Sequence, residues 1–449
     1  LYTFGFEPLQ QYLVEFPGGR LQALSLAWDT ERERWFHLYP DREVPPDDWL
    51  HWTRNGQNWN GMCAECHSTN LRKGYDPDAD TYETTWSDID VGCEACHGPG
   101  SLHVEWAEIP DIGRPAAIDF RLVKQTSGIT PREHVELCAP CHSRRASMAD
   151  LEHTESDFMQ TFLPSLLEEG LYFADGQILD EVYVYGSFIQ SKMFDRDVKC
   201  SDCHDVHSVE RVLEGNALCL QCHRESQYDT YEHHFHKQEG EEGEPILSDS
   251  GEVLWEVGTG AQCETCHMPG RYYMGNDYRP DHSFRVPNPR LSAEIGAPDP
   301  CLRCHVDEDA LWSREKVEEW YGPGQASHYG EILFRARRGE PGADTELAAL
   351  AADDLYPVNV RATAISLLGN NYPGPAAAQA IDLALVDESP MMRRTAVSVV
   401  SSADGRILSG KLARALHDPV KTVRIEAASR LAGPLSDYLD IPQTELFEQ

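Results

Sequence analysis

The sequence has few basic residues and no long apolar run. Among its 449 residues, 38 Lys and Arg stand against 75 Asp and Glu, which gives a formal net charge of -37 at pH 7. A chain this acidic repels nucleic-acid phosphates and anionic lipid surfaces, so nucleic acid is excluded as a partner. No stretch approaches the roughly 18 consecutive apolar residues of a membrane helix, and we expect no membrane span. The chain starts at Leu1 without a Met or a leader segment, which suggests a processed or trimmed product.

The sequence also lacks cysteine outside one repeated pattern. All 14 Cys fall in Cys-x-x-Cys-His units, of which this composition predicts about 0.02 by chance. In chain order, motifs one to seven are Cys63/Cys66/His67, Cys93/Cys96/His97, Cys138/Cys141/His142, Cys200/Cys203/His204, Cys219/Cys222/His223, Cys263/Cys266/His267 and Cys301/Cys304/His305.

This spacing favours covalent haem attachment over disulfides or zinc. Two thiols one helical turn apart can add to the two vinyl groups of a haem, and the adjacent His then binds the iron. Zinc knuckles combine Cys pairs into four-ligand sites and need no His after each second Cys. The sequence therefore predicts seven covalently attached haem c groups. Because such attachment takes place outside the cytoplasm, we expect a periplasmic or extracellular protein.

The motifs are too dense for each haem to be wrapped separately. From Cys63 to His305 the chain has 243 residues, about 35 for each haem. The haems must then serve as the hydrophobic core, packed close to one another. Closely spaced haems form a conductor of electrons.

Twelve His lie outside the motifs and can supply second axial ligands. If most irons carry two His, about seven of the twelve are ligands. The chosen distal ligands are His51, His103, His153, His207, His233, His236 and His282, with His37 and His134 in reserve. In the segment YEHHFHK, His233 and His236 are expected on one helical face with His234 pointing elsewhere, and a surface metal site is the alternative. His328 and His417 are interpreted as solvated.

The chain divides into three segments that differ in composition and hydrophobic pattern. Residues 1–42 alternate apolar and polar positions and predict a three-stranded β-meander whose aromatic residues pack under the first haem. Residues 43–335 form the seven-haem cytochrome c domain, with short helices and turns. Residues 340–435 have Ala, Leu and Val at helical spacing. The expected fold class is mainly α with extensive loop, comprising the meander, a haem-packed core and a C-terminal helical solenoid.

The third segment contains a repeat. Arg361, Arg393 and Arg424 recur 32 and 31 residues apart, and Asp354, Asp387 and Asp418 precede them by six or seven residues. This pattern resembles short HEAT repeats, in which paired helices stack into a solenoid. An ordinary helical bundle is the alternative. A solenoid of this kind provides a docking surface.

Several segments resemble a family of multihaem cytochromes with HEAT and tetratricopeptide repeats. They are YTFGFEPLQQYLVEFPGGRLQAL, WFHLYP, NWNGMCAECHSTNL, CEACHGPGSLHVEWA, ADGQILDEVYVYGSF, CSDCHDVHS and DHSFRVP. The resemblance implies an electron-transfer protein. Members of that family carry an additional haem-binding segment upstream and tetratricopeptide repeats downstream, and neither is present in this sequence. CHGPGSLH, CETCHMP and DHSFRVP are also similar to the haem core of pentahaem nitrite reductases and of octahaem hydroxylamine and tetrathionate enzymes.

Two functions follow from these patterns. The favoured one is electron conduction through closely packed bis-His haems to redox partner proteins or an extracellular acceptor, with docking through the repeats or self-assembly into a filament. The alternative is a periplasmic reductase of a small nitrogen or sulfur oxyanion, with one open haem site. Every motif ends in His, so the Cys-x-x-Cys-Lys haem of nitrite reductases is lacking. This favours conduction over catalysis and leaves no residue assigned as catalytic.

Overall fold

The structure is a computed structural model that describes residues 2–151, 157–248, 250–324, 326–372 and 374–447. Its strands are β1 Tyr2–Phe4, β2 Leu9–Phe16, β3 Arg20–Asp29, β4 Arg34–His37, β5 Tyr75–Asp76, β6 Thr81–Tyr82, β7 Arg145–Ser147, β8 Phe162–Pro164, β9 Ile246–Leu247, β10 Val253–Trp255, β11 Arg271–Tyr273 and β12 Asp277–Arg279. Its α-helices are α1 Trp59–Met62, α2 Glu94–His97, α3 Ser101–Ala107, α4 Pro131–His142, α5 Tyr185–Phe188, α6 Asn216–Leu220, α7 Glu225–Tyr228, α8 Tyr231–His234, α9 Cys263–His267, α10 Pro289–Ile295, α11 Ala310–Tyr321, α12 Tyr329–Arg337, α13 Ala343–Ala352, α14 Val358–Asn371, α15 Pro375–Ala384, α16 Pro390–Val399, α17 Gly405–Ala415, α18 Lys421–Leu431 and α19 Ile441–Phe447.

The fold is mixed, with several small sheets beside the helices, so the expectation of a mainly helical class is corrected. The chain forms two compact units. The first comprises Leu1–Cys141, Asp150–Phe158 and Gly270–Arg279, and the second comprises His142–Ala149, Met159–Pro269 and Pro280–Gln449. The division into segments 1–42, 43–335 and 340–435 stays a prediction about sequence modules. No helix in the described ranges has both the length and the apolar character that a bilayer crossing requires.

The first unit begins with an antiparallel meander in the order β1-β2-β3-β4. It has four strands instead of the predicted three, because Tyr2–Phe4 pairs with β2 as a short additional strand. The turn between β2 and β3 needs glycine at Gly19, which has φ 73°. A Cβ there would lie 2.0 Å from the carbonyl oxygen of Tyr82. Period-two alternation buries one face of β2, as the sequence pattern requires.

That buried face packs against the first Cys-x-x-Cys-His motif. Leu13, Leu21 and Ala23 form a buried cluster with Trp59 of α1 and Ala64 within the motif. Sheet packing therefore fixes the backbone on which the first motif is presented.

Of the strand aromatics, Phe4 lies next to the first motif, since its ring centroid is 5.4 Å from that of His67. Trp35 instead packs with Tyr12 and Trp28 and is more than half exposed, and its expected placement under the first haem stays a prediction.

The second unit carries motifs four to seven and the helices from α12 to α18. The even-numbered helices α14, α16 and α18 pack in sequence, and α13, α15 and α17 pack beside them. Buried Leu347, Ile365, Met392, Leu412 and Leu431 fill the space between the helices. Period-3.6 spacing of apolar residues predicted this helical packing.

Ion pairs repeat along the same helices. Nη2 of Arg361 lies 2.7 Å from Asp387, and Arg393 binds Asp418 through Nε at 2.6 Å and Nη2 at 3.0 Å. Each Arg thus contacts the Asp that precedes the following Arg, which joins successive helix pairs. The sequence period showed the register of these residues but not which Asp each Arg contacts.

Candidate haem-binding centres

All seven motifs form a helical turn. In motifs one, two, four, five and seven the backbone N–H of the His donates to the carbonyl oxygen of the first Cys at 2.9–3.1 Å, and motifs three and six lie within α4 and α9. One helical turn brings both thiols to the same side of the chain, as attachment to one edge of a haem requires. None of the fourteen Cys forms a disulfide.

Three of the motif His face a second His from outside the motifs. The ring centroids are 6.4 Å apart for His204 and His282, 6.2 Å for His267 and His233, and 6.2 Å for His305 and His236. Metal–imidazole bonds are about 2.0 Å long. Two imidazoles on opposite sides of one metal therefore have centroids roughly 6.3 Å apart, if each nitrogen lies about 1.15 Å from its ring centroid. The centroid separations of all three pairs match this spacing.

Hydrogen bonds at Nδ1 orient several of these rings. Nδ1 of His267 lies 2.7 Å from the carbonyl oxygen of Arg285, and Nδ1 of His282 lies 3.0 Å from that of Pro280. Nδ1 of His236 likewise contacts the carbonyl oxygen of His234. A carbonyl partner fixes the proton on Nδ1 and leaves the lone pair of Nε2 for a metal, which is the usual arrangement of metal-binding His.

Burial also favours the neutral form of these imidazoles, which is the form that can bind iron. Removal from water lowers the pKa of His233, His282 and His305 below the usual value. The facing imidazole of each pair lowers these pKa values further. Only neutral imidazole has a lone pair to give to iron, so the sites are prepared for ligation.

Motif five differs in geometry from these three centres. Cys222 and His223 are both exposed. The ring that His223 meets is that of Tyr228, edge-on at 5.7 Å, and no His ring faces it in the described ranges. Helix α7 begins only two residues after the motif and places Tyr228 beside the imidazole. A second ligand at this centre and the roles of Cys222 and His223 in haem binding stay predictions.

Motif one has a thiol engaged with the backbone of motif three. The sequence assigns Cys66 to haem attachment, whereas in the structure its half-buried Sγ donates to the carbonyl oxygen of Pro140 at 3.7 Å. Pro140 lies between the two Cys of motif three. A thiol is a weak donor, so this contact differs from the predicted role without opposing it. Thioether formation at Cys66 would remove the contact, and attachment there stays a prediction.

His233 and His236 do not share one helical face, which corrects the expectation for YEHHFHK. Helix α8 ends at His234, and Phe235 adopts the left-handed conformation with φ 56° and ψ 23°. This turn directs His233 to His267 and His236 to His305. The two residues thus lie beside the motif His of two different centres.

The remaining predicted distal ligands are in varied surroundings. His103 is half-buried with Nδ1 2.8 Å from the carbonyl oxygen of Phe120, which leaves its Nε2 for a metal. Nδ1 of His51 lies 2.8 Å from Oγ1 of Thr53 in a local turn. His207 is exposed. His153 lies outside the described residues.

Three other His differ in role. The backbone N–H of Tyr39 donates to Nδ1 of His37, which leaves the proton on Nε2 and disfavours iron binding. His328 is not simply solvated, because its Nδ1 accepts from the N–H of Gly330 and its side chain caps α12. Nδ1 of His134 is buried without a hydrogen-bond partner, so this reserve residue stays a candidate.

The thiols of neighbouring motifs lie close together in the second unit. The thiols of Cys219 in motif five and Cys263 in motif six are close enough for each to shift the pKa of the other. Cys203 of motif four is near Cys219, and Cys304 of motif seven is near Cys266. The attachment points of motifs four to seven thus form a continuous row.

Sequence reasoning missed the backbone groups that orient the imidazoles. The carbonyl oxygens of Arg285, Pro280 and His234 act through atoms that every residue has, so no residue type indicates them. Asp281 is a partial exception, because its buried carboxylate accepts from the N–H groups of Ile178 and Ser283 and anchors the segment carrying His282. An Asp before a candidate ligand could have suggested such an anchor.

Two family models match parts of the chain. A model described as doubled CXXCH motif matches residues 193–228, which contain motifs four and five. A model described as cytochrome c554 and c-prime matches residues 51–98, which contain motifs one and two. Together they support a multihaem c-type cytochrome with covalently bound haem c.

Whole-chain comparisons add little to this assignment. No curated protein matches the cytochrome. Among solved structures, an outer cell wall cytochrome named OcwA is similar at 15% identity, with 87% of this chain and 84% of that chain covered and a TM-score of 0.44. A likeness at this level carries no argument about fold or function.

Proposed function

We propose that the cytochrome conducts electrons along seven haem c groups and that the fourth, sixth and seventh centres have two His ligands each. The observation that carries this proposal is the set of three imidazole pairs at the spacing of trans axial ligands. Bound haem supplies a one-electron iron couple. An iron with both axial positions filled by protein has no place for a substrate, so the paired His favour transfer over catalysis.

The row of thiols supports conduction through the second unit. Because the Cys219 thiol lies near those of Cys263 and Cys203, haem edges attached there would adjoin one another. Short edge separations allow electrons to pass without mobile carriers. Within the second unit, the expected sequence of centres is four, five, six and seven.

We further propose a periplasmic or extracellular location and a docking role for the helical segment. Covalent haem attachment outside the cytoplasm supports the location. The ion pairs Arg361–Asp387 and Arg393–Asp418 support HEAT-like repeats, because they recur with the period of the helix pairs. Such repeats would dock a redox partner or a neighbouring copy in a filament. The net charge of -37 favours a basic partner or a metal-bearing acceptor.

Carbon monoxide and cyanide test conduction against the reductase alternative. With both axial positions filled at every iron, carbon monoxide added to reduced protein and cyanide added to oxidised protein leave the haem spectrum unchanged. Rapid binding at one centre, together with a high-spin signal in the native protein, would refute an all-bis-His conduit and support the reductase.

Single substitutions test the ligand assignments. His282→Ala, His233→Ala and His236→Ala should each convert one low-spin haem to high-spin, measured by electron paramagnetic resonance. His417→Ala is the matched control, since His417 is exposed at the end of α17. A ligand variant whose spectrum equals that of the control would remove that residue from the set.

The haem count and the filament need separate measurements. Pyridine haemochrome absorbance and the intact mass should both give seven haems per chain, and a lower count contradicts the assignment of every motif. Negative-stain microscopy of native material tests assembly, because discrete particles at all concentrations would argue against a filament.

A further inference from the structure

The turn that carries two distal ligands is conformationally unfavourable on its own. Phe235 has φ 56° although it is a bulky residue with a Cβ. Such a residue adopts the left-handed conformation only where surrounding contacts impose it. The turn matters because His233 on one side faces the sixth centre, while His236 on the other side faces the seventh.

The last two residues of α11 provide those contacts. The Phe235 ring lies parallel to that of Trp320, with centroids 4.4 Å apart and an interplanar angle of 5°. Tyr321 meets the edge of Phe235 at 5.9 Å, and its hydroxyl donates to the carbonyl oxygen of His233. Trp320 also lies 6.4 Å from the ring of His236. Two adjacent aromatic residues thus contact the side chains of His233, Phe235 and His236.

Helix α11 is anchored at its other end. The Asp309 side chain accepts from the N–H groups of Leu311 and Trp312 at 3.0 and 2.9 Å, which caps the helix. The buried hydroxyl of Ser313 donates to Asp299, two residues before motif seven. The Trp312 ring lies 4.8 Å from that of His305, the motif ligand of the seventh centre.

The helix therefore contacts both sides of the seventh centre. Trp312 touches its motif His, and Trp320, two helical turns later, touches its distal His. A helix of this length is stiff, so it fixes the separation between the two imidazoles. Through Phe235 and Tyr321 the same helix fixes the distal ligand of the sixth centre.

We propose that Trp320 and Tyr321 are positioning residues that hold His233 and His236 on two neighbouring irons together, so that the sixth and seventh centres keep or lose their distal ligands as a pair. This inference rests on the proposed bis-His ligation of those two centres. Disrupting the contacts of Trp320 or Tyr321 should therefore affect ligation at both centres, whereas replacing one His should affect only its own centre.

The test counts high-spin haems in the full-length, haem-loaded protein. Trp320→Leu should convert two haems per chain to high-spin and allow two carbon monoxide molecules to bind after reduction. Phe235→Ala removes the same stacked pair from the other side and should give the same count. Trp320→Phe keeps an aromatic face and should restore the low-spin state. Tyr438→Leu, at an aromatic residue that is 49% exposed and lies beyond the last motif, is the control and should change nothing.

The outcomes separate this inference from the proposal on which it rests. If His233→Ala and His236→Ala each convert one haem while Trp320→Leu and Phe235→Ala convert none or only one, the coupling is refuted and the ligation stands. If neither His variant changes the spin state, the ligation itself is wrong. Should Trp320→Leu lose haem and fail to fold, Phe235→Ala gives the deciding count.

Discussion

Removing Arg393 tests whether the ion pairs between helix pairs hold the C-terminal helices together. The guanidinium binds both carboxylate oxygens of Asp418, and the exposed side-chain fractions are 14% and 8%. Arg393→Met leaves the Asp418 carboxylate with little water and one neighbouring N–H donor, from Val420. Losing one partner of a pair this deeply placed costs about 3 kcal/mol of unfolding free energy. Two backbone carbonyl oxygens also lose their donor, which adds to the cost.

Urea denaturation followed by far-ultraviolet circular dichroism measures the loss, with haem absorbance recorded in parallel. Lys411→Met is the control, because its partner Asp382 is 48% exposed and such pairs contribute about 0–1 kcal/mol. Combining Arg393→Met with Asp418→Leu should recover part of the loss, since no charge is then left unpaired. If Arg393→Met costs no more than the control, the pair does not join the helices and the reasoning fails.

Two further predictions concern pH. Burial, followed by the Arg285 guanidinium, lowers the pKa of His328 to about 4; between pH 4 and 6.5 only the unfolded chain binds the proton, so stability should fall on acidification by up to roughly 3 kcal/mol. His328→Asn keeps a cap for α12 and should make the urea midpoint nearly independent of pH over that range. An unchanged pH dependence would exclude His328 as its source. Burial, followed by Asp157, raises the pKa of Glu136 to about 7; the folded state alone holds that proton between pH 4.5 and 7, so stability should fall as pH rises. Glu136→Gln should remove this fall, and an equal fall in the variant would exclude Glu136 as its source.

The features that depend on residues close together in the chain were predicted well from the sequence. Seven Cys-x-x-Cys-His motifs specify their own helical turns, because one turn brings the Cys pair together wherever the motif lies. The meander from β2 to β4 followed from alternation and turn residues. The short strand β1 was missed because three residues are too few to show a period.

The distal ligands were only partly predictable, because pairing depends on contacts between distant segments. His282 lies 78 residues from its partner His204 in the chain, and no local pattern connects them. The expectation for His233 and His236 failed for a different reason. A helical period was assumed across Phe235, where the left-handed turn imposed by Trp320 ends the helix.

The proximity of the Cys219 and Cys263 thiols has a consequence for haem attachment. Under oxidising conditions two thiols this close can be joined by a disulfide, and thiolate exchange would then extend the error to their neighbours. Such a cross-link would consume one attachment point in each of two motifs and leave both haems incompletely bonded. The order of assembly is therefore constrained. Haem attachment must precede or accompany folding of this region, because a chain that folded first could lose its attachment thiols to disulfides.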